Sequence, residues 1–145
     1  MAAGALLRDE EDRVLLVEPA YKDYWEIPGG AVEADESPYA AVVREISEEL
    51  GLALTPGRLL VVDWVPPEPD RTESVCFVFD GGVLGAAAQV TIQMNEQELR
   101  SWAWSTPCAS TGPAAGAAGP ARAGRVADCP RLRDGRVKFD KGGVK

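Results

Sequence analysis

The chain has 145 residues, 46% of them hydrophobic, enough for one domain with a real core. It contains no histidine, which excludes a Ser-His-Asp or Cys-His engine, His-ligated zinc and an imidazole base. A net charge of −8 disfavours electrostatic binding to nucleic acid and repels a polyanionic substrate unless cations mediate.

Residues 2–7 and 14–18 read as two strands around a polar turn at 9–12, the pattern of a hairpin. Residues 21–25 form an aromatic loop. Tyr21, Tyr24 and Trp25 could stack on a base there, Tyr24 and Trp25 being the candidate substrate-binding residues; such stacking contributes about 1–3 kcal/mol with little preference among bases. Trp25 reads equally well as a core aromatic. The apolar run Trp25-Glu26-Ile27 then enters Pro28-Gly29-Gly30, a turn whose glycines permit close backbone approach.

A helix follows. Ser37 suits the N-cap, Pro38 the first helical position and Gly51 a left-handed stop. Tyr39, Val42, Val43, Ile46 and Leu50 fall on one stripe, opposite Glu45, Glu48 and Glu49 at i, i+3, i+4. Clustered carboxylates on a helix repel by roughly a few tenths of a kcal/mol per pair. Arg44, one turn before Glu48, offsets part of this, and bound divalent cations would offset more. Oxygen-only ligands select hard ions, Mg²⁺ first and Mn²⁺ second. On this reading Glu49 is an exposed acid whose loss leaves the fold intact.

Residues 58–65 and 73–80 read as strands joined by a stiff proline-rich loop that starts at Pro66. Gly81, Gly82 and Gly85 mark turns, and 90–93 and 101–104 two short late strands. Trp64, Trp102 and Trp104 are expected to pack. Cys76, Cys108 and Cys129 are odd in number with no C-x-x-C pair, which argues against a disulfide framework; Cys76 reads as a core thiol. No stretch approaches 18 apolar residues, and no basic-then-apolar leader opens the chain, so a cytoplasmic protein without a membrane segment is expected. Strands before and after one central helix predict an α/β class, a mixed sheet with helices on its faces.

The composition shifts at residue 106. Residues 106–145 carry eight Lys/Arg against three Asp, whereas 1–105 carry seven against twenty acids. We divide the chain there, into a domain of residues 1–105 and an atypical Gly/Pro/Ala-rich basic segment of 106–145. That segment cannot bury enough apolar surface to order itself unaided. It reads as a flexible tail or as non-native sequence such as a shifted frame, ahead of an unusual helix supported by the domain. If a packing helix is missing here, the sheet's outer face is left open, which favours a homodimer or lowers stability.

Gly30, Glu36, Arg44, Glu45, Ile46, Glu48, Glu49, Gly51 and Leu52 together fill G-x5-E-x7-R-E-U-x-E-E-x-G-U, where U is aliphatic. In this the chain resembles the Nudix hydrolases. The resemblance implies an α/β/α sandwich and Mg²⁺-dependent hydrolysis of a nucleoside diphosphate linked to another moiety, releasing a nucleoside monophosphate. Nucleoside triphosphates, ADP-ribose and nucleotide sugars compete as substrates. It also implies roles. Glu48 and Glu49 are the principal metal ligands, Glu45 a further ligand or general base, and the carbonyl of Gly29 or Gly30 an extra ligand. Glu36 and Arg44 orient the carboxylates. A loop acid before a late strand completes the set, Glu98 first and Glu96 second. The alternatives are a nucleotide-sensing module that regulates a partner, for which damaged signature carboxylates would be expected, and a nucleic-acid binder acting through the basic tail.

Overall fold

A computed structural model describes residues 1–67, 69 and 72–107, together with the backbone of 131–133 and 136–138. The readings of residues 106–145 as tail, helix or non-native sequence lie largely outside the described residues. Within them, β7 (Arg131–Arg133) and β8 (Arg136–Lys138) pair antiparallel.

The first two strands, β1 (Ala2–Arg8) and β2 (Val14–Pro19), meet at the expected turn. Asp9 organises it. Its Oδ1 accepts the backbone N–H of Glu11 (3.0 Å) and of Arg13 (2.8 Å), and its Oδ2 accepts Arg13 Nε (2.6 Å). Beyond the Arg8–Val14 pair the two strands part, and residues 26–31 wedge between them. On one side β3 (Gly29–Ala31) lies antiparallel to β1, with Gly29 opposite Gly4. On the other, Val17 and Glu26 exchange backbone hydrogen bonds of 2.8 and 3.0 Å. The wedge needs glycine. A Cβ on Gly29, whose φ is +144°, would overlap the Ala3 carbonyl.

β1 also runs parallel to β5 (Ser74–Val83), which pairs antiparallel with β4 (Leu59–Val65). On the far side β2 pairs antiparallel with β6 (Leu99–Ser105). The order β4-β5-β1-β2-β6 is a mixed sheet, and with its helices the domain is α/β, as the pattern predicts. Helix α1 (Pro38–Leu50) packs over β1, β3 and β5. Ala41, Val42, Ile46 and Leu50 bury against Ala3, Ala5, Leu7, Leu15 and Val17. Both helix ends follow the expected chemistry: Ser37 Oγ accepts Ala40 N–H at 3.1 Å, and Gly51 turns left-handed at φ 65°. Tyr39 sits at the rim of the stripe, edge-on to Phe79 at 5.6 Å.

Three expectations are corrected. Gly81 and Gly82 lie inside β5 rather than in a turn, because Gly82 at φ 76° lets the strand continue through a register shift against β1. Residues 90–93 form no strand. They follow a four-residue helix, α2 (Ala86–Gln89), and lead into a loop that donates Gln93 N–H to Leu50 O (2.8 Å) and Asn95 N–H to Glu49 O (3.0 Å). That satisfies carbonyls which the end of α1 leaves without helical partners. Trp64 is 60% exposed instead of packed, since β4 is the edge strand. Trp102 and Trp104 do pack, edge to face at 6.2 Å against the core, and Cys76 is half-buried.

Candidate active site

The wedge brings the signature loop onto the acidic face of α1. Arg44 is the centre of that face. It donates Nε and Nη2 to the two oxygens of Glu36 (2.9 Å each), Nη2 to Ala31 O (3.1 Å), and Nη1 to Glu45 (2.9 Å) and Glu48 (3.0 Å). A guanidinium has five N–H donors, so all are committed. Bonds to Glu36 above all raise its pKa, and the hydrogen bonds from Arg44 lower that of Glu36. The planar fork fixes Glu45 and Glu48 relative to the loop, a task that a lysine cannot perform.

Glu49 departs from expectation. It is only 5% exposed, because the Gly29 end of β3 covers it and donates its N–H to Glu49 Oε2 at 3.0 Å. Among the described residues, Glu49 Oε1 has no hydrogen-bond partner. Burial pushes the carboxyl up to about 8, against the Gly29 bond and with help from Glu45, Glu26 and Glu98. Burial likewise raises Glu45, whose bond to Arg44 works the other way. A Cβ on Gly30 would overlap the Glu45 carboxylate and force it out of its place beside Arg44.

The loop that caps α1 delivers the late acid. Asn95 donates its N–H to Glu49 O and its Nδ2 to Glu98 Oε1 (3.1 Å), and Ala20 N–H reaches Glu98 O at 2.7 Å. Glu98 thereby lies in electrostatic reach of Glu45 and Glu49, while Glu96 is exposed. The aromatic loop adjoins them. Trp25 is half-buried, and the Tyr24 ring lies 5.5 Å from Lys22 Nζ.

Among the described residues, no three acidic or cysteine side chains converge into a ready-made cation cage. The donor set nevertheless fits a hard cation. All candidates are oxygens, Glu48 is half-exposed, and among the described residues no donor bonds Glu49 Oε1.

Three residues escaped the sequence reading: Asn95, Lys22 and Glu26. Asn95 sits beside the two weighed acids, but its bonds to Glu49 and Glu98 need the folded loop. Lys22 and Glu26 pair at 2.7 and 2.9 Å outside any helix, so their i, i+4 spacing carried no signal.

A NUDIX-domain family model matches residues 1–122. The chain belongs to the Nudix family. Over 53 residues it is 49% identical to diphosphoinositol polyphosphate phosphohydrolase 2 of Mus musculus, covering 36% of this chain and 30% of that protein. Over 63 residues it is 49% identical to diphosphoinositol polyphosphate phosphohydrolase 3-alpha of Homo sapiens, covering 42% and 38%. The matched stretch thus spans about a third of those relatives. Among solved structures, the MutT protein from Methanosarcina mazei Go1 superposes with a TM-score of 0.62 at 28% identity, over 72% of this chain and 75% of the other. A MutT Nudix hydrolase from Burkholderia pseudomallei gives 0.61 at 25%, over 76% and 88%. Nudix enzymes generally use divalent metals. No described helix is long and apolar enough to cross a membrane.

Proposed function

We propose that this Nudix protein is a Mg²⁺-dependent pyrophosphohydrolase that cleaves a nucleoside diphosphate linked to another moiety and releases a nucleoside monophosphate. The observation that carries this reading is the buried Glu49, bonded once to Gly29 N–H, its second oxygen unpartnered among the described residues, in electrostatic reach of Glu45 and Glu98. A carboxylate left so short of protein donors is costly unless a cation completes it.

Glu48 and Glu49 would hold the ion, with Glu45, Glu98 and a carbonyl of Gly29 or Gly30 as further oxygens. Bound there, Mg²⁺ would neutralise charge developing on the phosphate oxygens. Arg44 and Glu36 keep Glu45 and Glu48 in register with the loop. Glu45 or Glu98 takes the proton of the attacking water; with no histidine in the chain, a carboxylate is the natural acceptor. Tyr24 and Trp25, in the same loop as Tyr21, are the sequence candidates for stacking on a base.

The 49% identity to two diphosphoinositol polyphosphate phosphohydrolases favours a second reading, a diphosphate on a polyphosphorylated ring. A sensing role finds less support, because every signature carboxylate is intact.

The test is a substrate panel in Mg²⁺ with an EDTA control and products identified by mass. It holds the eight common nucleoside triphosphates, an oxidised purine triphosphate, ADP-ribose, a UDP-sugar, a dinucleoside polyphosphate and a diphosphoinositol polyphosphate. EDTA-sensitive release of a nucleoside monophosphate is the expected result. Turnover of the inositol compound alone would replace the first reading with the second, and folded protein inert on all would sink both.

A further inference from the structure

We propose that Tyr21 and Lys22 form a substrate lip beside the carboxylates, Lys22 binding a phosphate and Tyr21 stacking on the base of a nucleoside diphosphate. The inference deepens the proposed hydrolase reading and rests on it for the substrate class.

Lys22 is unusually well held for a loop lysine. Its ammonium lies 5.1 Å from the ring centre of Tyr21 and 5.5 Å from that of Tyr24. Two of its three donors meet the two oxygens of Glu26, at 2.7 and 2.9 Å. The third has no acceptor among the described residues. Glu26 is itself fixed, because its backbone is bonded in both directions to Val17 in the wedge. The loop's own backbone is clamped as well, by Arg100 on Ala20 O (2.6 Å) and Lys22 O (3.5 Å).

The same connections set the loop against the carboxylates. Ala20 N–H binds Glu98 O at one end, and three residues after Glu26 the Gly29 N–H binds Glu49 at the other. Although the Tyr21 residue as a whole is 72% exposed, partial desolvation raises the pKa of its hydroxyl. Lys22 works to lower it, and Glu26, Glu49 and Glu45 lie in electrostatic reach and add to the rise. Burial works to lower the Lys22 pKa, but Glu26 outweighs it, so the ammonium stays charged.

Chemistry decides what such a lip takes. Arg44 has no donor left to offer a substrate, whereas Lys22 keeps one. A phosphate can share the ammonium with Glu26 or displace it, which a neutral ligand cannot do. Tyr21 is 72% exposed and next in sequence, so its ring is open to a planar partner one residue from that phosphate. An ion pair serving stability alone would not require the aromatic walls or the clamped backbone.

The test compares the full-length parent with Lys22→Met, Lys22→Arg and Tyr21→Leu. KM and kcat are measured on whichever panel nucleotide the parent cleaves, and Kd for α,β-methylene-ADP in Ca²⁺ by calorimetry. Lys22→Met is expected to raise KM and Kd about tenfold or more and leave kcat within about twofold, the mark of lost uniform binding. Lys22→Arg should stay within about threefold on both, and Tyr21→Leu should raise KM about fivefold. Unchanged KM and Kd in Lys22→Met, with the parent active, would overturn the lip and leave the reaction standing. So would kcat and Tm falling together in Lys22→Met and Lys22→Arg alike. A parent that cleaves nothing yet binds the analogue through Lys22 would sink the hydrolase reading and keep the lip. Should Lys22→Met fail to fold, the exposed Tyr21→Leu decides, an unchanged KM and Kd overturning the proposal.

Discussion

Among the described residues two carboxylates are buried, and they are treated in opposite ways. Asp9, 1% exposed in the β1–β2 turn, accepts three hydrogen bonds, two of them from Arg13. Burial alone would raise its pKa, but the Arg13 bonds outweigh it and the pKa falls. Glu49, at the end of α1, accepts one bond and is pushed up to about 8. The first is a completed structural site. The second accepts a single bond from the described residues, and that shortfall is what the proposed cation would make up.

Glu49→Gln separates these roles most sharply. Turnover should fall by about 100-fold or more, beyond the roughly 10–100-fold typical of groups that only orient a ligand. Stability in EDTA should not fall, because the amide keeps an oxygen for Gly29 N–H and removes a carboxyl whose ordinary charged form burial disfavours. Initial rates with a melting curve check both, and turnover within about threefold of the parent would remove Glu49 from the metal face.

Asp9→Ala should do the reverse. It strands the N–H groups of Glu11 and Arg13 and costs about 2–3 kcal/mol in urea unfolding, while kcat at low temperature holds. The sign of its pH dependence follows from a depressed pKa. Asp9's contribution is fully present above its ordinary value of 3.8 and is lost as pH falls through the lower folded value. The parent should therefore lose more stability between pH 4 and 2 than Asp9→Ala; equal losses would show that Arg13 does not hold the turn.

What the sequence made legible depends on how local the chemistry is. The caps of α1 are single-residue effects, so Ser37, Pro38 and Gly51 were readable. The spacing of Glu45, Glu48 and Glu49 gave their common face for the same reason. The burial of Glu49 was not readable, because it depends on β3 wedging between β1 and β2, which brings Gly29 over it from twenty positions away. The role of residues 93–95 was hidden likewise. Val90, Thr91 and Ile92 look like a strand by propensity, but the unsatisfied carbonyls of α1 draw the following backbone into a cap.

The late acid gives a smaller test of the same contrast. Glu98 is tied to Asn95 and lies near Glu45 and Glu49, while Glu96 faces solvent. Glu98→Gln should lower kcat by about tenfold and Glu96→Gln by less than about twofold. A larger loss in Glu96→Gln would reverse the assignment.

The smallest expected effect concerns the converse anomaly, apolar side chains left in water. Val42 on α1 is fully buried, whereas Val62 on the edge strand β4 is 56% exposed, beside exposed Leu59, Val61 and Trp64. Val→Thr keeps the shape and adds a hydroxyl, so it reads the medium around each site. At Val42 it should cost about 1–3 kcal/mol, since a buried helical hydroxyl can reach only a carbonyl one turn back that the helix already uses. At Val62 it should stay within about 0.5 kcal/mol, as on an open surface. If Val62→Thr instead costs as much as Val42→Thr, and the cost grows with protein concentration, β4 is covered in solution by a second copy of the chain. Its apolar edge would then be completed from outside, as the proposed cation would complete Glu49.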